Sequence, residues 1–245
     1  MTTPITTVFG TNHSCLLAPD TTEGPYYITG EHIRTNLVED QTGVALHLDL
    51  LVIDTTTCAP VTDAYIELYG ANATGVYGGV VESHNGNPSD TSNTRNSWLR
   101  GVQLLDSTTG TAQFDTLFPG HYGGRAPHLH VMVHQHVDTA QRTRPLGNGT
   151  LQDHIATHTG QLFFDQDLIT EVEGREPYVF NRQRFTKNDR DYYVPFAMVG
   201  GNDPFVSFVY LNGKDVEDGL LGWMTVGVNM TRVDKVHVAG TFHGN

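Results

Sequence analysis

Residues able to do chemistry concentrate in one segment, Phe118-Pro119-Gly120-His121-Tyr122-Gly123-Gly124-Arg125-Ala126-Pro127-His128-Leu129-His130. In a strand, residues two apart project from one face with Cα atoms about 6.6 Å apart, so His128 and His130 can both reach one metal ion. A lone His-x-His more often decorates a wet strand face, so its neighbours carry the argument. Gly120, Gly123 and Gly124 permit a tight reversal that could fold Tyr122 back over the same face, and Arg125 stands three residues before the first histidine. A phenol, a guanidinium and two imidazoles would then converge. Phenolate is a hard anionic donor that suits Fe(III), whereas zinc sites are completed by Cys, His or carboxylate. A tyrosine with a pKa near 10 ionises at neutral pH only if a strong cation holds it. The combination suggests ferric iron.

The elements that must position these groups read as strands. Apolar alternation at period two runs through Ala45–Ile53, Ala64–Tyr69, Ala112–Phe118 and His128–His134, and further strands are predicted at Gln161–Phe164, Phe205–Leu211 and Trp223–Val228. Gln166–Arg175 is the one plausible short helix. The connections His84–Asn96 and His136–Gly160 are too polar, and too broken by Gly, Pro and Asn, to be core elements. No repeat, linker or shift in composition marks a boundary. The expectation is an all-β chain, a single β-sandwich over 44–245 with long loops, preceded by an N-terminal arm at 1–43 that packs on the core.

Composition narrows the partners. The 245 residues include 14 basic and 27 acidic side chains, a net charge of −13, which speaks against nucleic acid and anionic membrane surfaces. No apolar run approaches the roughly 20 residues needed to span a bilayer. Cys15 and Cys58 form no C-x-x-C pair, so they offer no zinc or thioredoxin-type motif, though a single disulfide between them can form. Asn-x-Ser/Thr triplets at Asn12, Asn72, Asn148 and Asn229 point, with that disulfide, to an exported protein whose leader has been removed.

The spacing Pro119-x-x-Tyr122-x-x-Arg125-x-x-His128-x-His130 resembles the hallmark of the intradiol ring-cleavage dioxygenases, in particular their secreted fungal-type branch. Glu23-Gly24-Pro25-Tyr26-Tyr27, Asn72-Ala73-Thr74-Gly75-Val76-Tyr77 and Gln161-Leu162-Phe163-Phe164 extend the resemblance over most of the chain. It implies that Tyr77, Tyr122, His128 and His130 ligate a non-haem Fe(III), with a hydroxide in the fifth position and no organic cofactor. Arg125 and Gln161 fall where the family lines the substrate side. The implied partners are a small catecholic molecule and O2. The catechol would displace Tyr122, which accepts a proton, and cleavage between the hydroxyl-bearing carbons would give a cis,cis-muconic acid type product. The family's well-studied intracellular members carry a helical N-terminal dimerisation segment; nothing before Val44 looks like one, so a monomer is expected. Where the family commonly has Trp-His-Ala or Trp-His-Cys, this sequence has Tyr69-Gly70-Ala71. That change either leaves room next to Tyr77 or lets another side chain fill it.

Other residues have plainer readings. Tyr65, Tyr69, Tyr192, Tyr193 and Tyr210 read as core or interface aromatics, Trp98 and Trp223 as core or pocket walls, and Glu171, Glu173, Arg175 and Glu176 as one face of an exposed helix. The pair His134 and His136 lacks Tyr and Arg neighbours and reads as a solvated strand end. Two competing functions stay open: a non-catalytic transthyretin-like sandwich that binds small phenols, and a zinc hydrolase built on His128, His130 and a carboxylate such as Asp115.

Overall fold

The computed structural model describes residue 9 and residues 15–136 and 143–242. Two sheets face each other across one apolar layer, as the alternation requires. The first contains β1 (Ala45–Asp54), β4 (Thr111–Leu117), β7 (Ser207–Tyr210) and β8 (Leu220–Val228); the second contains β2 (Ala64–Gly70), β3 (Arg100–Leu104), β5 (His128–Gln135) and β6 (His158–Phe163). In the first, β1 lies between β8, which runs parallel to it, and antiparallel β4. The second is antiparallel throughout, in the order β6-β5-β2-β3. Leu46, Leu48, Leu50 and Val52 of β1 meet Leu129, Val131 and Val133 of β5 and Ile66 and Leu68 of β2 in the common core. Cys15 and Cys58 are joined, with Cα atoms 5.5 Å apart. Among the described residues no helix is long and apolar enough to cross a membrane.

The outer face of the second sheet is buried as well, and there the sequence reading needs correction. The stretch 136–160, expected to be loop, supplies Thr143–Pro145, Thr150–Asp153 and Ile155–Ala156 as short strands as well as the start of β6; residues 137–142 lie outside the described part. Thr150–Asp153 pairs with Glu31–His32, and Ile28–Thr29 pairs with Gly240–Thr241. These polar strands escape a periodicity search because they form a second layer whose polar side chains are satisfied by β5 and β2. Strand β3 was missed for a similar reason: its sequence, Arg-Gly-Val-Gln-Leu, lacks the apolar alternation although Arg100 and Val102 are buried.

Helix α1 (Gln166–Glu173) forms where expected, with the Asp165 carboxylate accepting from the Asp167 amide at its start. Its polar face is not a free surface. Glu171 accepts from the Tyr210 hydroxyl, Glu173 bonds His121, and Arg175 beyond the helix pairs with Asp215 and Glu217. Tyr65 and Tyr69 are buried, whereas Tyr192 is 69% exposed and belongs to no core. Asn72, Asn148 and Asn229 each accept from the Ser or Thr two residues on, so these triplets build turns; Asn12 lies outside the described residues.

Candidate metal centre

Alternation along β5 puts Leu129, Val131 and Val133 into the core and His128, His130, Met132 and His134 on the outer face. Register then sets His130 in a row that crosses all four strands, Gln161–His130–Tyr69–Arg100. The Tyr69 ring stacks face to face on His130, with centroids 4.6 Å apart. His128 donates from Nδ1 to the Ala126 carbonyl (2.6 Å), which leaves its Nε2 bare and 3.2 Å from the Nε2 of His130.

The glycine-rich turn brings Tyr122 over this pair. Arg125 N–H donates to the Tyr122 carbonyl, and the ring lies 5.5 Å from His128. Gly120 is required by crowding, since a Cβ there would stand 2.4 Å from the Asn72 carbonyl oxygen. Tyr77 arrives from the loop after β2. Asn72 starts that loop by accepting from the amides of Thr74 and Val76. Gly75 takes φ +77° where the His121 backbone passes too close for a side chain. The Tyr77 ring sits 5.5 Å from Tyr122 and 5.9 Å from His130. Tyr77, Tyr122, His128 and His130 are therefore gathered in one place.

The donor set fits a trivalent cation with hard and imidazole donors. Tyr77 is 0% exposed and its hydroxyl has no hydrogen-bond partner among the described residues. An orphaned buried hydroxyl is costly unless a ligand meets it. Burial, and then the neighbouring Tyr122, push the Tyr77 phenol well above its usual range; burial raises Tyr122 too, partly offset by Arg125. Burial first, and then Arg125 for His128 or His128 for His130, hold both imidazoles well below the usual histidine range, hence neutral and able to ligate. Phenols so placed ionise only toward a strongly Lewis-acidic ion.

Arg125 and Gln161 join the cluster. Arg125 donates from Nη1 to the Tyr122 hydroxyl (3.1 Å) and from Nη2 to Gln161 Oε1. Beneath it lies Asp191, buried and accepting from Arg125 Nε (2.8 Å), while the Tyr193 ring covers the guanidinium at 4.5 Å. Asp191 was missed because it is 66 residues from Arg125 and has no motif around it. The loop 84–96 was also underrated. Asn85 and Asn93 are buried within it, and both donate to the Tyr77 and Val80 carbonyls, which fixes the backbone that presents Tyr77. Tyr26 stacks on Tyr77 at 4.6 Å, and Arg100 holds the carbonyls of Tyr26 and Gly78. Only the tyrosine pair Tyr26-Tyr27 hinted at this from sequence.

Two alternatives left open by the sequence are decided, and one reading is overturned. Gly70 opens no space beside Tyr77: it is one residue out of phase with Tyr69, and a Cβ there would meet Leu129 Cδ2 at 2.5 Å, so a core leucine fills the position. Asp115 is no third ligand, because it pairs with His47 across the other sheet at the surface. His134, read as solvated, is wholly buried and bonded to Ile155, Glu67 and Asp153.

The sequence matches no protein-family model and no curated protein. Solved structures do match. The chain is similar to an intradiol ring-cleavage dioxygenase from Tetranychus urticae, at 30% identity over 89% of this chain and 96% of that one, with a TM-score of 0.68. A second dioxygenase crystal structure is 29% identical over 93% of this chain and 99% of its own, also with a TM-score of 0.68. Catechol 1,2-dioxygenase from Acinetobacter sp. ADP1 shares the fold at 17% identity and a TM-score of 0.54, over 96% of this chain and 71% of that one.

Proposed function

The chain belongs to the intradiol ring-cleavage dioxygenases, and from that premise we propose that Tyr77, Tyr122, His128 and His130 hold a non-haem Fe(III) at which catechol-type diols are opened by O2 to cis,cis-muconic acid type products. As a member it is an oxidoreductase, and cleavage of catechol-type diols follows from the family. The observation that carries the ligand assignment is the gathering of two phenols and two neutral imidazoles on one buried face, with the Tyr77 hydroxyl left without a partner. Bound there, ferric iron would supply the Lewis acidity that keeps the phenols ionised and activates the diol toward O2.

The two tyrosines have different parts. Tyr77 is 0% exposed and held by Asn85 and Asn93 through its backbone, which suits a ligand that stays. Tyr122, 7% exposed and bonded to Arg125, is the less buried of the two and suits the group that would give way to the diol and take one of its protons. The Arg125 guanidinium, fixed by Asp191 and Gln161, is poised to stabilise anionic charge developing on the ring. The non-catalytic alternative is not favoured, because all four donors are present and gathered. We further propose that the protein works outside the reducing compartments, as the closed Cys15–Cys58 link supports, and that it acts as a monomer.

The test is O2 uptake by iron-loaded protein against a panel of catechols, with the product identified by mass. Uptake of one O2 per ring and a product carrying both oxygen atoms is expected. Absence of turnover across the panel by protein that has taken up iron would overturn the reading.

A further inference from the structure

The outer face of β5 carries a second polar centre. His134 lies four residues beyond His130, about 13 Å along the strand. Its Nδ1 donates to the Ile155 carbonyl at 2.7 Å, so Nε2 is turned toward Glu67 Oε2 at 3.0 Å and Asp153 Oδ2 at 3.2 Å. One ligand atom each from Glu67, His134 and Asp153 lies within 4.8 Å of the others. The three side chains are 1%, 0% and 2% exposed. Metal-bound histidines usually donate the N–H of the non-ligating ring nitrogen to a carbonyl or carboxylate, as His134 Nδ1 does to Ile155.

The surroundings are tied down. Thr29 donates to Asp153 Oδ1 at 2.6 Å, and the Tyr27 hydroxyl donates to Oδ2. A further carboxylate, Glu31, is buried beside Glu67 and pairs with Arg100 through Oε1 at 3.1 Å. Two oxygens are left over. Glu67 Oε1 and Glu31 Oε2 find no donor among the described residues, so these two neighbouring carboxyls can be satisfied only by a shared proton or by a cation. With His134 neutral and all three carboxyls ionised, one guanidinium would leave two negative charges away from water, a cost that a dication removes. Burial, with Glu31 and Asp153 beside it, otherwise drives the Glu67 carboxyl well above its ordinary range.

We propose that Glu67, His134 and Asp153, with Glu31 alongside, form a second and structural metal site for a borderline divalent ion such as Zn2+. One imidazole and several carboxylates are donors that Zn2+ accepts, and none is a phenol. The ion would join β2 and β5 to the covering strand Thr150–Asp153. It would thereby hold down the layer that carries Tyr26 over Tyr77. This site does not depend on the iron assignment, since it shares no ligand with it.

Zinc content decides the matter. Full-length protein, loaded with iron and then equilibrated with Zn2+, is freed of excess ion and assayed for both metals. We expect one Zn2+ per chain to be retained, a higher melting temperature with Zn2+ than without, and loss of that zinc in Glu67→Gln and in Asp153→Asn, with iron content unchanged. Wild-type protein that retains no zinc, or Glu67→Gln that retains as much as wild type, overturns the proposal. The wild-type measurement stands alone if the variants fail to fold.

Discussion

Asp191 is the strongest lever on Arg125. Its Oδ2 accepts from Arg125 Nε and the Ala126 amide, both at 2.8 Å, while Oδ1 accepts from the Tyr193 amide at 2.7 Å and, more weakly, from Val194 N and Arg125 Nη2. An asparagine there can turn its single oxygen to only one of these sets and points an amide N–H2 at the other. Keeping the Arg125 Nε and Ala126 pair, Asp191→Asn should therefore lose the Tyr193 bond and the two weaker ones, set an N–H2 against those donors, and destabilise the protein by about 2–4 kcal/mol. Asp191→Ala leaves the guanidinium without its counter-ion and should cost about 3–5 kcal/mol. Arg125 would then be steadied only by Gln161, Tyr122 and the Tyr193 ring, so kcat should fall some ten- to hundredfold, a part of the roughly 100- to 1,000-fold that one aimed donor supplies. Denaturant midpoints at unchanged m report the first effect and O2 uptake the second. A double-mutant cycle of Asp191→Asn with Arg125→Gln should give a coupling energy above about 1 kcal/mol. Additivity within the ~0.5 kcal/mol seen for independent sites would refute the reasoning.

The remaining expectations concern other residues. Tyr122→Phe should keep iron and some colour yet form the catechol complex about 100-fold more slowly in anaerobic stopped-flow mixing, whereas Tyr77→Phe should lose iron; the opposite pattern would exchange their roles. Burial lowers the His158 pKa to about 4 despite the Asp20 carboxylate 3.0 Å from its Nδ1, so the unfolded chain binds the proton first. Stability from this residue is intact above the unfolded value and is lost as pH falls through it, by about 2 kcal/mol between pH 7 and pH 5. Thermal melts of His158→Asn should show a shallower acid slope than wild type, and an equal slope would count against it. Gly70→Ala should destabilise by about 1–3 kcal/mol through overlap with Leu129, and Leu129→Val should restore part of that loss in a denaturation experiment.

What could be read in the sequence follows from distance along the chain. His128, His130, Tyr122 and Arg125 are legible because a strand and a turn relate them over nine positions, and local geometry dictates which face they share. Tyr77 has no such tie to them. Spacing alone could not select it among ten tyrosines, and only the resemblance did. The sandwich was legible because its inner face alternates cleanly in β1, β2 and β5. Its outer face was not, because that layer is held by polar groups paired across 60 to 130 residues: Asp191 with Arg125, Glu67 with His134, Tyr27 with Asp153. Such groups look solvated in sequence, and only the fold reveals that their partners replace water. His134 and the asparagines of 84–96 were misread for that one reason.

The central claim is that two phenolates and two imidazoles hold ferric iron, and the visible spectrum of the iron-loaded protein tests it most directly. A tyrosinate bound to Fe(III) absorbs visible light by charge transfer, which zinc or an empty protein cannot do. Wild-type protein with about one iron per chain should be red to burgundy, and Tyr77→Phe should lose most of that band together with its iron. Protein that takes up iron at Tyr77, Tyr122, His128 and His130 cannot be colourless; a colourless wild type after iron loading would contradict the account.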